Sequence, residues 1–168
     1  MKLLIAPDSF KGSLSAEEVC EIISQSAREC LENVECLCLP VADGGEGMVN
    51  AMLAAKGGEL VSLTVKDPLG RPVQAGYAKL PDGSAAVEMA AASGLPLLAK
   101  EERDPVHSTT YGAGQLIRHA LEGGCRRVVL GLGGSATNAL FFSIMDGFMV
   151  ASGEGVAITD TFVVMNVT

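Results

Sequence analysis

Residues 2–53 read KLLIAPDSFKGSLSAEEVCEIISQSARECLENVECLCLPVADGGEGMVNAML, and the order of apolar runs, polar loops and helical periodicities within them decides the fold class. Lys2 to Ala6 is a short apolar run halted by Pro7, the pattern of a buried parallel strand. The loop DSFKGS follows, and Ser15 with Glu18 three residues later forms a capping box. Val19, Ile22, Ile23, Ala27, Cys30 and Leu31 then recur at helical spacing, which predicts a helix from Ala16 to Leu31. A second strand over Val34 to Val41, a second loop ADGGEG and a second helix through Met48, Val49, Met52 and Leu53 repeat the unit. Such β-loop-α-β-loop-α alternation predicts an α/β fold with a parallel sheet. Its ligand loops gather beyond the carboxyl ends of the strands, so DSFKGS and ADGGEG should share one rim.

From Glu59 the pattern changes. Val61, Leu63 and Val65 alternate with polar positions, Asp67-Pro68-Leu69-Gly70 and Pro81-Asp82-Gly83 make turns, and strands are predicted over Val73 to Leu80 and Ser84 to Met89. These are antiparallel hairpins, and they place the start of a second α/β lobe close to Lys66. Leu116, Ile117, Ala120 and Leu121 restore a helix that ends at Gly123-Gly124. A strand over Arg127 to Leu132 then runs into GGSATN, a loop able to turn several backbone N–H groups toward an anion. The division that follows is 1–65 for the first lobe, 66–138 for the second and 139–168 for a tail of different character.

Composition narrows the partners. The chain has 168 residues, 48% of them hydrophobic, with 4% aromatics and 20 glycines, which suits a globular α/β domain rich in strand-to-helix turns. A net charge of -8 without any basic run argues against a nucleic-acid partner. The apolar stretch after Asn138 is interrupted by Asp146 and is too short to cross a bilayer, so no membrane anchor is expected. Five cysteines without zinc spacing, and a start lacking a secretory pattern, predict reduced thiols in the cytoplasm. Cys36 and Cys38, in the second strand, read as buried structural thiols rather than metal ligands.

The three loops carry residue types that phosphoryl transfer uses: a cation, N–H donors, and carboxylates to orient an acceptor or a metal shell. Asp8 and Lys11 share the first loop, Asp43 and Glu46 flank glycines in the second, and Ser135, Thr137 and Asn138 add hydroxyls and an amide in the third. Singly, each reads equally well as turn chemistry. Arg71 and Arg103 follow turns and suit either a carboxylate clamp or a loop salt bridge. His107, His119, Tyr111 and Ser93 read as surface or packing residues.

Taken in order, APDSFKGSLSA, PVADGGEG, DPLGR, EMAAASGL, TTYGAGQLI and GLGGSATN closely resemble the glycerate kinase family over residues 1–138. The resemblance implies a Rossmann-like parallel lobe interrupted by a second α/β lobe, and phosphoryl transfer from ATP, with Mg2+, to D-glycerate, giving 2-phosphoglycerate. It also implies Asp8, Lys11 and Asp43 as catalytic residues. Ser9, Ser13, Gly44, Glu46, Gly133, Gly134, Ser135, Thr137 and Asn138 would bind substrate or nucleotide, and no residue is assigned as a metal ligand. After Asn138 the likeness stops and the chain ends early for the family, so it reads as truncated, its tail either the product of a reading-frame change or rearrangement or a divergent but genuine continuation. A truncated lobe should bare apolar faces and self-associate. An inactive fragment, or a module that only binds glycerate or an anion, is the alternative function.

Overall fold

The computed structural model describes residues 1–10, 12–42, 44–136 and 162–165. Among these, β1 (Lys2–Ile5) and β2 (Glu35–Cys38) pair in parallel, with Ile5 opposite Cys38. They are joined through α1 (Ala16–Cys30), whose start carries the predicted capping box. Ser15 Oγ accepts from the Glu18 N–H at 3.2 Å, and Glu18 Oε2 accepts from the Ser15 N–H at 2.7 Å. Val19, Cys20, Ser24 and Ala27 form the buried stripe of α1, with Ile5 buried on β1.

α2 (Met48–Lys56) leads into β3 (Glu59–Lys66), β4 (Pro72–Lys79) and β5 (Ser84–Glu88). After α3 (Met89–Ser93), two short 3-10 turns and α4 (Tyr111–Glu122) come β6 (Arg127–Gly131) and β7 (Phe162–Met165). These five strands form one sheet in the order β3-β4-β5-β6-β7, antiparallel across β3-β4-β5 and parallel across β5-β6-β7. The architecture is therefore mixed α/β, with a parallel pair and a sheet that holds antiparallel hairpins. β3 lies wholly within that sheet and runs through the 65/66 boundary drawn from the sequence.

Helices cover both faces of the larger sheet. Leu116, Ile117, Ala113 and Ala120 of α4 and Met89 and Ala92 of α3 pack on Val87, Tyr77, Val65 and Leu130. On the other face Met48 and Val49 of α2 pack on Ala78, Leu80, Ala86 and Val129. The sequence pattern assigns α2 to the first lobe, but its apolar residues bury against the second sheet. Local periodicity states that a helix has an apolar face, not which sheet receives it.

Several expectations change in detail. Cys36 is only half-buried and Cys38 is exposed, because among the described residues β2 pairs with β1 alone and leaves Leu37 and Leu39 exposed as well. Arg71 is no free clamp. Its Nε donates to Asp67 Oδ2 at 2.6 Å and its Nη1 to Glu102 Oε1 at 2.8 Å. Burial alone would raise the Asp67 carboxyl, but bonds from the Arg71 guanidinium and from the N–H groups of Arg71 and Leu69 hold it below the ordinary aspartate value. Asp67 thereby ties the DPLGR turn together. His107 sits on the surface against Asp104 at 2.7 Å, and His119 packs edge-on against Tyr77, as packing roles require.

Candidate active site

The first loop leaves β1 at Ala6 and reaches α1 through a tight turn, in which Phe10 O accepts from the Ser13 and Leu14 N–H groups at 2.8 and 3.1 Å. Asp8 folds back on the chain, its Oδ1 accepting from the Ser9 N–H at 2.7 Å. The second loop is carried alongside because strand pairing continues past β2, with the Val41 N–H donating to Pro7 O at 3.0 Å. Between these loops lies a cavity of about 550 Å³ lined by Asp8, Ser9, Ser13, Glu46, Asn50 and Glu88 among others. The rim expected from the strand order is thus present, and four of the sequence-predicted residues face one space.

The third loop meets the second through backbone. The Gly133 N–H donates to Gly44 O at 3.2 Å. A Cβ on Gly131 would lie 2.2 Å from Gly44 O, and one on Gly133 would lie 2.6 Å from Gly45 Cα, so only glycine allows this approach. Beyond it the loop is stitched to the end of α3: the Leu95 N–H donates to Gly134 O at 3.0 Å and the Ala136 N–H to Ser93 O at 2.9 Å. Gly133, Gly134 and Ser135 stand outside the cavity lining, as does Gly44; the third loop is bonded to the loop whose next residues, Glu46 and Gly47, line the cavity. Lys11, Asp43, Thr137 and Asn138 lie outside the described residues. Phe10 and Gly12, the neighbours of Lys11, do line the cavity.

Sequence reading passed over Glu88. α2 begins at Gly47, which has φ 95° and no side chain to cap the helix. The missing acceptor comes instead from the end of β5, where Glu88 Oε1 accepts from the Val49 N–H at 2.6 Å. The Gly47 and Met48 N–H groups also favour its charged form. Burial nevertheless dominates and holds the Glu88 carboxyl above the ordinary glutamate value, with the Glu46 charge adding to the rise. One side chain thus fastens the second loop to the larger sheet and also lines the cavity. The only sequence signal was its place at the head of EMAAASGL, since a cap 39 positions away leaves no local pattern.

Glu88→Ala is expected to destabilise the protein by about 1–3 kcal/mol by leaving helix N–H groups without an acceptor. Glu88→Gln keeps an oxygen there and should cost less. A raised folded-state pKa contributes stability that is complete below the unfolded value and is lost as pH rises through the folded one. Glu88→Gln should therefore gain on the parent protein as pH rises through and above the glutamate range. Denaturant titrations at several pH values measure this; a parent-to-variant difference independent of pH would show that Glu88 does not titrate as described.

Comparisons with known proteins bear on the family and the fold. The model of the glycerate kinase family matches residues 3–148, reaching past Asn138. Glycerate 2-kinase of Escherichia coli (strain K12) is 50% identical over 139 residues, covering 82% of this chain and 36% of that protein. Glycerate kinase of Bacillus subtilis (strain 168) is 48% identical over the same shares. The crystal structure of a glycerate kinase 2 candidate from Salmonella typhimurium LT2 superposes with a TM-score of 0.74 at 48% identity, over 88% of this chain and 40% of that one. The chain therefore spans about a third of the length of the curated relatives it matches. With its motifs, its α/β architecture and a family match over most of its length in accord, this chain belongs to the glycerate kinase family.

Proposed function

We propose that the chain carries the substrate-handling loops of an ATP-dependent glycerate kinase and that its chemistry is phosphoryl transfer to a hydroxyl of D-glycerate, giving 2-phosphoglycerate. The observation that supports this most is the cavity shared by Asp8, Ser9, Ser13 and Glu46, with the third loop bonded at Gly44 to the loop that carries Glu46. A migrating phosphoryl group needs positioned donors and a cation more than covalent chemistry. In this reading Lys11 offsets charge on the phosphoryl group or on the glycerate carboxylate. Asp43 orients the acceptor hydroxyl or contacts the metal shell. Backbone N–H groups of the 133–138 loop, with Ser135, Thr137 and Asn138, face the nucleotide anion.

Among the described residues, no group of three or more His, Cys, Asp or Glu side chains is arranged to hold a metal. The oxygen donors around the cavity still suit Mg2+, which typically takes one or two carboxylates and completes its shell with phosphate and water. Asp8 and Glu46 would supply those carboxylates, and the ion would neutralise phosphate charge. Among the described residues no helix is long and apolar enough to cross a membrane. We place the protein in the cytoplasm, with its thiols reduced. The lobe division at 65/66 belongs to this proposal too; limited proteolysis cutting first at Gly57-Gly58 would move it to the start of β3.

The span of 36% of the relatives favours a second reading, in which the loops bind ligand without turnover. Calorimetry with D-glycerate and with ATP and Mg2+, followed by a coupled assay for phosphoglycerate, separates the two. Turnover supports the kinase, binding alone supports the module, and the absence of both binding and turnover removes the site. Exposed Leu4, Leu37, Ile22 and Leu39 on the β1-β2 unit also support self-association. A monomer across the concentration range in sedimentation would refute it.

A further inference from the structure

Away from the cavity, α1 and β2 bring two thiols together. Cys20 is buried on α1, and its Sγ lies 3.7 Å from Ile5 O. Ile5 is the register partner of Cys38, so the Cys20 sulfur sits over the rung that Cys38 completes. Cys38 Sγ in turn lies 3.8 Å from Cys20 O and 3.0 Å from Ser24 Oγ, one helical turn further along α1. The two thiols differ in access. Cys38 is exposed and opens onto a surface cleft lined by Glu21, Ser24, Gln25, Arg28 and Glu29, whereas Cys20 is enclosed.

We propose that Cys38 and Cys20 form a peroxide-sensitive dithiol, with Cys38 as the reacting thiol and Cys20 as the resolving one. Access assigns the roles: Cys38 is exposed on a cleft lined by Ser24 and Arg28, with the Ser24 hydroxyl 3.0 Å from its sulfur, whereas Cys20 is enclosed. Burial pushes the Cys20 thiol up, and its Cys38 neighbour adds to the rise, so Cys20 keeps its proton while Cys38 reacts. In the first step the Cys38 thiolate attacks hydrogen peroxide: an S–O bond forms, the O–O bond breaks and hydroxide leaves. The sulfur is oxidised to the sulfenic acid and the peroxide is reduced. In the second, the Cys20 sulfur attacks the Cys38 sulfur; the S–S bond forms, the S–O bond breaks, and hydroxyl leaves as water with the Cys20 proton.

The bridge has a consequence for the cleft. Cys38 precedes Pro40 and Val41, and α1 begins with Ala16 and Glu17; all four of these neighbours line the cavity between the first and second loops. Oxidation would therefore pin two of its walls together. Reduction by a thiol reverses the step, so the site is a reversible modification site.

Peptide mapping of the full chain after mild peroxide treatment tests this. Exposed Cys30 and half-buried Cys36 are replaced first, by Cys30→Ser and Cys36→Ser, to remove competing partners. Peroxide should then consume two thiols and yield an intrachain peptide pair joining Cys20 to Cys38, both restored by dithiothreitol. Adding Cys38→Ser should abolish the bridge. Adding Cys20→Ala should leave a Cys38 sulfenic acid that dimedone traps. A bridge in the parent that disappears in the double-serine background, a bridge between chains, or loss of Cys38 to sulfinic acid with Cys20 still free would each overturn the proposal. The parent and double-serine maps decide it even if Cys20→Ala fails to fold.

Discussion

On the proposed kinase reading, Lys11→Ala in a full-length family member is expected to lower glycerate-dependent ATP turnover by about 10²–10³-fold, the usual loss when one positioned donor to transition-state charge is removed. The cavity is rimmed by Asp8, Glu17, Glu46 and Glu88, all acidic, so a bound polyanion would meet repulsion unless a cation answers it. Lys11 is the lysine the first loop brings, between two residues that line that space. The same substitution should weaken calorimetric affinity for ATP or D-glycerate by roughly tenfold or more, the scale of a charge-assisted hydrogen bond. Its thermal unfolding should stay cooperative and close to that of the parent, because a loop lysine contributes little to the core. Asp43→Asn, which keeps shape and removes charge, should lower turnover to a similar degree with less effect on nucleotide affinity. Parent-like turnover and affinity in either variant would remove that residue from the scheme.

Gly131→Ala is expected to cost about 3 kcal/mol and to lower the thermal midpoint by roughly 5–10 °C. The added methyl would stand 2.2 Å from Gly44 O and 3.0 Å from Met48 Sδ. The thioether can turn away, but the carbonyl is backbone, so the second loop must move as a unit. That movement breaks the Gly133 to Gly44 hydrogen bond and disturbs the start of α2, and ligand affinity should fall with stability. Gly83→Ala is the matched control. It carries a left-handed φ of 77° with nothing within 4 Å of the added carbon, so its cost is the backbone strain alone, about 1–2 kcal/mol, with no loss of binding. Equal effects at the two positions would mean that the contact between the second and third loops is not formed in solution.

The sequence by itself determined most of the elements. The capping box at Ser15 and Glu18, the glycine stops after α2 and α4 and the period-2 run of β3 are local chemistry, read within a few residues of where they act. Family membership was legible for a related reason: six short motifs in fixed order record a site's chemistry even where each alone is only turn chemistry. Asp8, Ser9, Ser13 and Glu46 were found in this way and share the cavity. Only the tertiary structure decided that α2 belongs to the larger sheet, that Arg71 is consumed by Asp67 and Glu102, and that Cys38 faces solvent beside Cys20. It also revealed Glu88 as the cap of a helix 39 residues earlier in the chain. These facts depend on which surfaces meet once hydrophobic faces are buried. Burial is non-directional, so the free energy that drives it leaves no pattern in the residues naming their partners.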